Sequence, residues 1–561
     1  MQKLLFLFFI LTWTSLLPAQ QTPMQGKYWV EFSDKKDSPY CTCRPWEFLS
    51  ARSLDRRAKS GIAVVDNDLP VNPRYIKELK ENGASIYHTS RWLNGATVLA
   101  DSATAEGLRR LSFVQKVEYV GRHIKPKNPP NRPAKKRTPM LAYPKAGAEA
   151  LGYAGLQNSL LNLPLLYYAG ARGEGIWVAV MDGGFTNVDT IPLFDSVALS
   201  GRLIPGWDFV ERDGGVYESA QHGTSVLSVM AANLPGYFVG TAPEATYFLI
   251  KTEDTGGEYP IEETNWIAGA EWADSIGADI INASLGYTAF NDTTLSHSFK
   301  QLDGRTAIGS RGASIAAGKG MIICNSAGNS GDEPWRYVGV PADAAGILAV
   351  GAVDNEGKRA TFSSFGPSAD GRIKPELVAP GDQVVVAGNV GAQLGLSSGT
   401  SLASPMLAGA LASLWSAYPE LPAADILNAV FAASDQFERP DVERGYGLPN
   451  MAKAWLQLGG YLHNEEPNET HNDGFFAFDP NAGLLNLLIF NNLPEEIQTV
   501  ELRDMLGKPF SEVPFTLRKN RVSTLTISGL SALPPGTYQI LLHGDHTVER
   551  YMALVITHPN Q

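Results

Sequence analysis

Apolar and polar positions divide the chain into regions with different periodicity. Between residues 21 and 121, short stretches that alternate polar and apolar residues, such as 27–32, predict half-buried strands. Helical stretches separate them in the order strand–helix–strand–strand–helix–strand, which predicts a small ferredoxin-like α+β unit. Three of these four strands are placed at 27–32, 97–100 and 116–120, and the two helices at 73–82 and 105–111.

A second pattern extends from 150 to 462. Near-continuous apolar strands alternate there with helices, which is typical of a parallel sheet covered by helices on both faces, an α/β fold. The predicted strands are 176–181, 246–250, 279–282, 321–324 and 347–350, and the helices include 226–232, 264–275 and 402–417. From 475 to 561 the chain returns to short strands with turns at 506–508 and 534–536, which predict a small all-β, sandwich-like domain.

The segment 122–149 separates the first two regions. Residues 121–140 contain seven Lys or Arg, five Pro and no Asp or Glu. Such a composition cannot bury a core, so it predicts an exposed linker. A basic run can bind nucleic acid, but its place between two folded units favours an accessible processing site.

The first twenty residues predict a secretory signal peptide. Lys3 gives a positive start, 4–17 is apolar, and a small residue, Ala19, lies near the end. The alternative is a membrane anchor, but the apolar stretch is shorter than the ~20 residues that span a bilayer. We therefore expect a secreted or cell-surface protein.

Composition limits the classes of partner that we expect this protein to bind. The 561 residues are 44% hydrophobic and 19% charged with a net charge of −12, which fits a globular protein and argues against nucleic acid as a partner. Three cysteines cannot build a disulfide framework. Cys41 and Cys43 allow a weak interpretation as a metal pair, and Cys324 lies in an apolar run typical of a small buried residue.

Three polar residues occupy positions at strand ends and helix starts, where functional residues are commonly found. Asp182 ends an apolar strand and precedes two glycines, where it could also serve as a turn or cap residue. His222 leads into an apolar helix, and the other histidine between 150 and 460, His297, lies in a polar stretch typical of the surface. Ser401 precedes an apolar helix with Pro405 predicted in its first turn, so it could be a nucleophile or a helix cap.

Taken together, these three segments indicate a function more specifically than any one of them does alone. The blocks 182–184 (Asp-Gly-Gly), 222–224 (His-Gly-Thr) and 399–405 (Gly-Thr-Ser-Leu-Ala-Ser-Pro) resemble the signature blocks of the subtilisin-like peptidases, and they follow that family's Asp, His, Ser order. Gly183 departs from the Ser or Thr of many members, without removing the role of the carboxylate.

The resemblance implies further site residues. The block 325–331 resembles the one that carries the oxyanion-hole asparagine, which places that role on Asn329, with Gly328 beside it in the substrate site. Ser284, Leu285 and Gly286 resemble the strand that pairs with the substrate backbone. Gly339 resembles the base of the main specificity pocket, which a glycine leaves deep and uncharged.

The same resemblance predicts activity and partners. It implies a serine endopeptidase that hydrolyses protein or peptide substrates, made as a zymogen whose propeptide (21–121) assists folding and acts as inhibitor. No cofactor is required; calcium is common in the family, but no ordered run of acidic ligands identifies a site. We expect a monomer.

The C-terminal region resembles the sorting domains of bacterial type IX secretion, through its segments 478–481, 502–508 and 535–538. It lacks the usual Tyr-Pro-Asn-Pro run and a basic residue at the end of its last strand. The resemblance implies export through the periplasm of a Gram-negative bacterium, and a plain β accessory module is the alternative. Two other functions compete for the whole chain: a non-catalytic adhesion protein on the same scaffold, and a hydrolase of esters or lipids.

Overall fold

The computed structural model describes residues 25–122 and 151–459, together with strand segments between 474 and 556. The predicted signal peptide and nearly all of the basic linker lie outside the described residues. None of the helices in the described part of the chain is both long and apolar enough to cross a membrane.

The N-terminal unit is an antiparallel sheet with helices packed against it. Its strands follow the order β2-β3-β1-β4, and side chains such as Val30, Val98 and Leu108 form its core. The strands are β1 Gly26–Phe32, β2 Ser85–Ser90, β3 Gly95–Ala100 and β4 Val114–Arg122, and the helices are α1 Ala51–Lys59, α2 Pro73–Glu81 and α3 Ser102–Leu108.

Helix α1 is an addition to the predicted order of elements. Its buried residues are Ser53, Arg56 and Arg57 rather than an apolar stripe. The helix begins after Ser50, whose hydroxyl accepts a hydrogen bond from the Ser53 N–H. A search for apolar periodicity passes over such a helix, because its packing face is charged.

The central unit is built on a seven-stranded parallel sheet of order β13-β12-β11-β10-β5-β9-β6. The five predicted strands all belong to it. The two edge strands are additions, and both contain a proline, which edge strands tolerate. The strands are β5 Trp177–Asp182, β6 Leu203–Asp208, β9 Thr246–Lys251, β10 Ile280–Ala283, β11 Ile322–Ser326, β12 Leu348–Val353 and β13 Leu377–Pro380.

Successive residues of β5 point into two different cores. Val178 and Val180 pack in one cluster with α7 and α10, whereas Ala179 and Met181 pack in another with α8 and α9. The parallel sheet is therefore covered on both faces, as the near-continuous apolar strands predict. The helices of this unit are α4 Gly155–Leu160, α5 Leu163–Tyr168, α6 Asp195–Leu199, α7 His222–Ala231, α8 Ile261–Ile276, α9 Ile308–Ala317, α10 Thr400–Ser416, α11 Ala423–Ala432 and α12 Met451–Gln457.

Two short hairpins complete the central unit, and the C-terminal strands form two separate antiparallel sheets, β16-β17-β20 and β19-β18-β21-β22. The hairpin strands are β7 Asn233–Leu234 with β8 Phe238–Val239, and β14 Val384–Ala387 with β15 Leu394–Ser397. The C-terminal strands are β16 Gly474–Asp479, β17 Leu484–Asn491, β18 Ile497–Asp504, β19 Pro509–Leu517, β20 Arg521–Ile527, β21 Gly536–Gly544 and β22 Arg550–Ile556.

The cysteines correct one interpretation. Cys41 and Cys43 are joined to each other by a disulfide, so they are not a metal pair. Cys324 is a free, buried residue of β11, as predicted. Within the described ranges, no group of three or more His, Cys, Asp or Glu side chains is placed to hold a metal ion.

Candidate active site

Asp182 and His222 come from different elements and meet in space. Asp182 is the last residue of β5 and His222 the first of α7. Nδ1 of His222 lies 2.9 Å from Oδ2 and 3.1 Å from Oδ1 of Asp182. The carboxylate is buried, whereas the imidazole is 45% exposed and open to a substrate. The negative charge of Asp182 raises the pKa of His222 above its ordinary value.

Two glycines allow this contact. A Cβ at Gly223 would lie 3.0 Å from both Cβ and Cγ of Asp182 and 2.3 Å from the carbonyl oxygen of Gly184. The main-chain N–H of Gly183 donates a hydrogen bond of 2.8 Å to Oδ1 of Asp182. The carboxylate is thereby held in one orientation, and the histidine can approach it only because residue 223 has no side chain.

Ser401 lies in the first turn of α10, directly after Gly399 and Thr400. A Cβ at Gly399 would meet Oγ of Ser401 at 2.9 Å and Nδ2 of Asn329 at 3.6 Å. Both polar groups therefore face the same small space beside residue 399. The first N–H groups of a helix have no partner within it, and the helix dipole there favours negative charge.

Asn329 is held by its neighbour across this space. Its side-chain oxygen accepts hydrogen bonds from the N–H of Thr400 at 2.8 Å and from the hydroxyl of Thr400 at 2.9 Å. The same hydroxyl accepts a hydrogen bond of 3.1 Å from the N–H of Gly328. With its oxygen fixed in this way, the amide group of Asn329 directs its N–H donors toward the space beside Ser401.

Pro405 lies inside α10 rather than in its first turn, because the helix begins at Thr400. A proline has no N–H to donate to the carbonyl four residues earlier, which here belongs to Ser401. That carbonyl instead accepts a hydrogen bond of 2.8 Å from the hydroxyl of Ser284. The prediction that Pro405 lies in the first turn of the helix is therefore wrong. Because Pro405 cannot bind the Ser401 carbonyl, that carbonyl accepts the hydroxyl of Ser284 instead and connects α10 to the end of β10.

The segment that follows β10 is fixed on both sides. The carbonyl of Leu285 accepts hydrogen bonds from Nδ2 of Asn325 at 2.9 Å and from the hydroxyl of Ser326 at 3.1 Å. Tyr287 and Val340 exchange two main-chain hydrogen bonds, of 2.7 and 3.0 Å. This segment is therefore held in place next to α10, the helix that carries Ser401.

Three of the predicted glycines meet at one gap. A Cβ at Gly286 would lie 3.7 Å from the carbonyl oxygen of Val340, and one at Gly328 would lie 3.9 Å from the nitrogen of Gly339. A Cβ at Gly339 would touch the methyl group of Thr288 at 3.2 Å. The three glycines therefore lie on neighbouring segments, and residue 328 also needs a glycine because its φ is +111° and a Cβ there would lie 2.9 Å from Oγ of Ser364.

Sequence reasoning passed over two polar residues of this region. Thr400 belongs to the Gly-Thr-Ser block, and its position beside the serine was the available signal. Glu253 follows β9, and its carboxylate accepts a hydrogen bond of 2.6 Å from the hydroxyl of Tyr287. A polar residue just past the end of a parallel strand is the signal that would have singled it out.

His297 was expected at the surface, and this expectation is wrong. Its side chain is only 9% exposed, and its Nε2 lies 2.7 Å from Oε1 of Glu263 in α8. The other carboxylate oxygen of Glu263 accepts the N–H of Gly309 at the start of α9. His297 therefore ties a loop to two helices of the second core and lies apart from the pair of Asp182 and His222.

The N-terminal unit binds the face formed by α8 and α9. Asp274 of α8 accepts hydrogen bonds from three arginines of that unit, Arg56, Arg57 and Arg91. Glu271, one turn earlier, accepts the main-chain N–H groups that follow Ser90, at 3.0 Å each. Charged groups that are buried together in this way form a specific interface rather than a loose contact.

The last strand of the N-terminal unit ends beside the site. A Cβ at Gly121, near the end of β4, would lie 3.1 Å from Cβ of Tyr259. Tyr259 follows the segment 253–258, which begins just after β9 and next to Asp182. The last described strand of the N-terminal unit therefore ends against the region that follows β9.

Comparisons with known proteins show which families this chain resembles. The family model described as "Subtilase family" matches residues 173–448. The model described as "Peptidase S8 propeptide domain, Bacteroidota" matches residues 27–137. Subtilisin DY of Bacillus licheniformis is 31% identical over 288 residues, which cover 51% of this chain and 92% of that protein. Subtilisin E of Bacillus subtilis is 32% identical over 51% of this chain and 68% of its own length.

A third relative is the thermostable alkaline protease of Halalkalibacterium halodurans, 29% identical over 53% of this chain and 72% of its own. All three alignments fall short of the full chain, whose N-terminal part is covered by the propeptide match. The chain belongs to the subtilase family and is a serine endopeptidase preceded by a propeptide of the S8 type.

Proposed function

We propose that this protein is a secreted endopeptidase in which Asp182, His222 and Ser401 form the catalytic triad. The observation that carries the proposal is the contact of His222 Nδ1 with the buried Asp182 carboxylate, at 2.9 Å. Because Nδ1 is engaged there, Nε2 of His222 is the nitrogen that takes the proton from Oγ of Ser401. The raised pKa of His222 makes it a stronger base for this step.

The reaction proceeds through an acyl-enzyme. Ser401 Oγ attacks the peptide carbonyl, and His222 returns the proton to the leaving amine. Asp182 orients the imidazole and stabilises the imidazolium. Water then enters, loses a proton to His222 and releases the acyl group from Ser401.

The developing oxyanion needs donors that are already in place. Nδ2 of Asn329 and the main-chain N–H of Ser401 are the proposed pair. Their alignment is supported by the two hydrogen bonds from Thr400 that hold the Asn329 oxygen. Donors fixed before the reaction stabilise the charge without reorganising, and one such donor is worth about 10²–10³ in turnover.

Substrate binds as an extended chain along Ser284, Leu285 and Gly286, adding main-chain hydrogen bonds to that segment. The side chain before the scissile bond enters the gap between Gly286, Gly328 and Gly339. Since this gap is lined by backbone and small side chains, it favours an apolar residue.

Localisation and maturation complete the proposal. The signal peptide directs the chain out of the cytoplasm, and the N-terminal unit restrains the enzyme until it is cut away within the basic linker. The two C-terminal sheets serve as an export domain recognised by a type IX-like secretion machinery, and the mature enzyme acts as a monomer at or beyond the cell surface.

Labelling with a serine-directed fluorophosphonate tests the chemistry. The wild-type protein should be labelled on Ser401, as mapped by peptide mass spectrometry, and labelling should stop casein hydrolysis. The Ser401→Ala variant should bind no label while keeping its circular dichroism spectrum. Label on another serine, or casein hydrolysis by Ser401→Ala within tenfold of wild type, would contradict the triad.

A further inference from the structure

The carboxylate of Glu253 stands next to the pair of Asp182 and His222. Strand β9 is paired with β5 so that Lys251 lies opposite Asp182, and Glu253 follows two residues later. A Cβ at Gly183 would lie 3.6 Å from Cβ of Glu253. The Glu253 segment therefore packs in van der Waals range of Gly183, the residue that follows Asp182.

Tyr287 fixes the Glu253 side chain from the other side of the site. Its hydroxyl donates a hydrogen bond of 2.6 Å to Oε1 of Glu253, and the tyrosine ring is almost fully buried. Tyr287 follows the substrate-binding segment after β10, whereas Glu253 follows β9. This hydrogen bond therefore joins the two segments that flank the end of β5.

The surroundings of Glu253 are poor in positive charge. Burial raises the pKa of Glu253 to about 8, and the charges of Glu258 and Asp182 act in the same direction. A carboxylate that is desolvated beside other carboxylates is stabilised by an arriving cation. The charge of Glu253 also contributes to the raised pKa of His222, so the carboxylate acts on the reacting end of the site.

The sheet order decides which substrate residue faces Glu253. Successive side chains of an extended peptide point in opposite directions. If the residue before the scissile bond points to the gap at Gly328 and Gly339, the residue before that one points the other way. Gly328 follows β11, on one side of β5, and Glu253 follows β9, on the other side.

We propose that Glu253 is a specificity-determining residue that selects substrates with lysine or arginine at the second residue before the scissile bond. This inference rests on the proposed peptidase function and names its substrate class. The chain's own linker offers that chemistry, because residues 121–140 contain seven Lys or Arg and no acidic residue. The first peptide that this site meets is therefore a basic one.

Peptides that differ at one position test the inference. The full-length protein is expressed, allowed to complete its maturation, and its active sites are counted with fluorophosphonate. Internally quenched peptides carry lysine, norleucine, glutamine or glutamate at the second residue before the cleaved bond, with an apolar residue at the first. The readout is the ratio of kcat/KM for lysine over norleucine, which differ in charge but hardly in shape.

We expect this ratio to be ~10 or more in the wild type, as for a cation that meets a partly buried carboxylate, and about 1 in Glu253→Gln. The matched control is Glu420→Gln, which removes the same charge from an exposed position beyond the end of α10 and should keep the wild-type ratio. Tyr287→Phe removes one of the two side-chain hydrogen bonds that Oε1 of Glu253 accepts, leaving that from Thr252, and should lower the ratio to an intermediate value.

The outcomes separate the two proposals. A wild-type ratio near 1 on peptides that are cleaved overturns the role of Glu253 and leaves the peptidase function in place. A high ratio that survives in Glu253→Gln also overturns it, as does selection for lysine only at the fourth residue before the bond. If no peptide is cleaved and no serine is labelled, the proposed function itself has failed.

Discussion

The side-chain oxygen of Asn329 is held by two hydrogen bonds from one residue, Thr400, whose N–H and hydroxyl donate at 2.8 and 2.9 Å. Thr400 immediately precedes Ser401 in α10. The orientation of the Asn329 amide is therefore set by the same helical turn that carries Ser401, the proposed nucleophile. Any movement of one proposed oxyanion donor relative to the other requires these two hydrogen bonds to break.

Asn329→Leu should lower kcat by about 10²–10³ and leave KM nearly unchanged, because the oxyanion exists only in the transition state. Steady-state kinetics on a peptide substrate measure both constants. Thr400→Val is the companion variant: it keeps the N–H donor but loses the hydroxyl, so we expect a smaller loss of kcat. A rise in KM at constant kcat in Asn329→Leu would instead make Asn329 a ground-state binding residue.

How much of this site the sequence predicts depends on how far apart the contacting residues are along the chain. Asp182 ends an apolar strand, and His222 and Ser401 begin apolar helices, so local patterns and their order along the chain are enough to make all three candidates. Glu253 also follows the end of a strand, but nothing local connects it to its neighbours Gly183 and Tyr287, which are distant in sequence. Their contact follows from the pairing of β5 with β9 and β10, which no local pattern contains.

The fold shows the same division between local and distant causes. The apolar strands at the centre of the sheet were predicted to within a few residues. Helix α1 was not, because it buries Arg56 and Arg57 against Asp274 rather than apolar side chains. His297 was misplaced at the surface for a related reason: its partner, Glu263, belongs to a helix more than thirty residues away.

Asp274→Asn should loosen the N-terminal unit from the catalytic unit. Asp274 is fully buried and receives three guanidinium groups, and removing one partner of such a buried charged set costs about 2–5 kcal/mol. In the uncleaved Ser401→Ala precursor, residues 25–122 should then be digested at least tenfold faster by an added protease. Asp55→Asn, at an exposed position of α1, is the control and should digest at the rate of the parent. Equal rates for both variants would show that the arginine cluster does not hold the interface.

Removal of the C-terminal sheets should separate catalysis from export. The catalytic elements end with α12 at Gln457, so truncation after residue 465 should leave an enzyme that cleaves casein at the wild-type rate. In the native host that enzyme should accumulate in the periplasm, while the full chain reaches the medium or the cell surface. Immunoblots of cell fractions check this, with a periplasmic marker protein as the control. Normal export of the truncated chain would mean that these sheets are an accessory module.

Maturation should begin at the end of β4 and depend on Ser401. Gly121 lies against Tyr259, so β4 ends near the region that follows β9, and we expect the first cut to fall soon after it. The linker beyond it is basic, rich in proline and unable to build a core, so it stays open to proteolysis after the first cut. The wild-type precursor should therefore lose everything before roughly residue 125–150, whereas Ser401→Ala should keep it after signal removal.

N-terminal sequencing of both proteins from a protease-deficient host measures this difference. Such a host is needed because the Lys135-Lys136-Arg137 run is also a target for foreign peptidases. Activity should appear in step with the loss of residues 25–121, since Glu271 and Asp274 keep the unit bound until it is degraded. A wild-type protein that is fully active with that unit still covalently attached would contradict its inhibitory role, because the chain leaving β4 would then not obstruct the site.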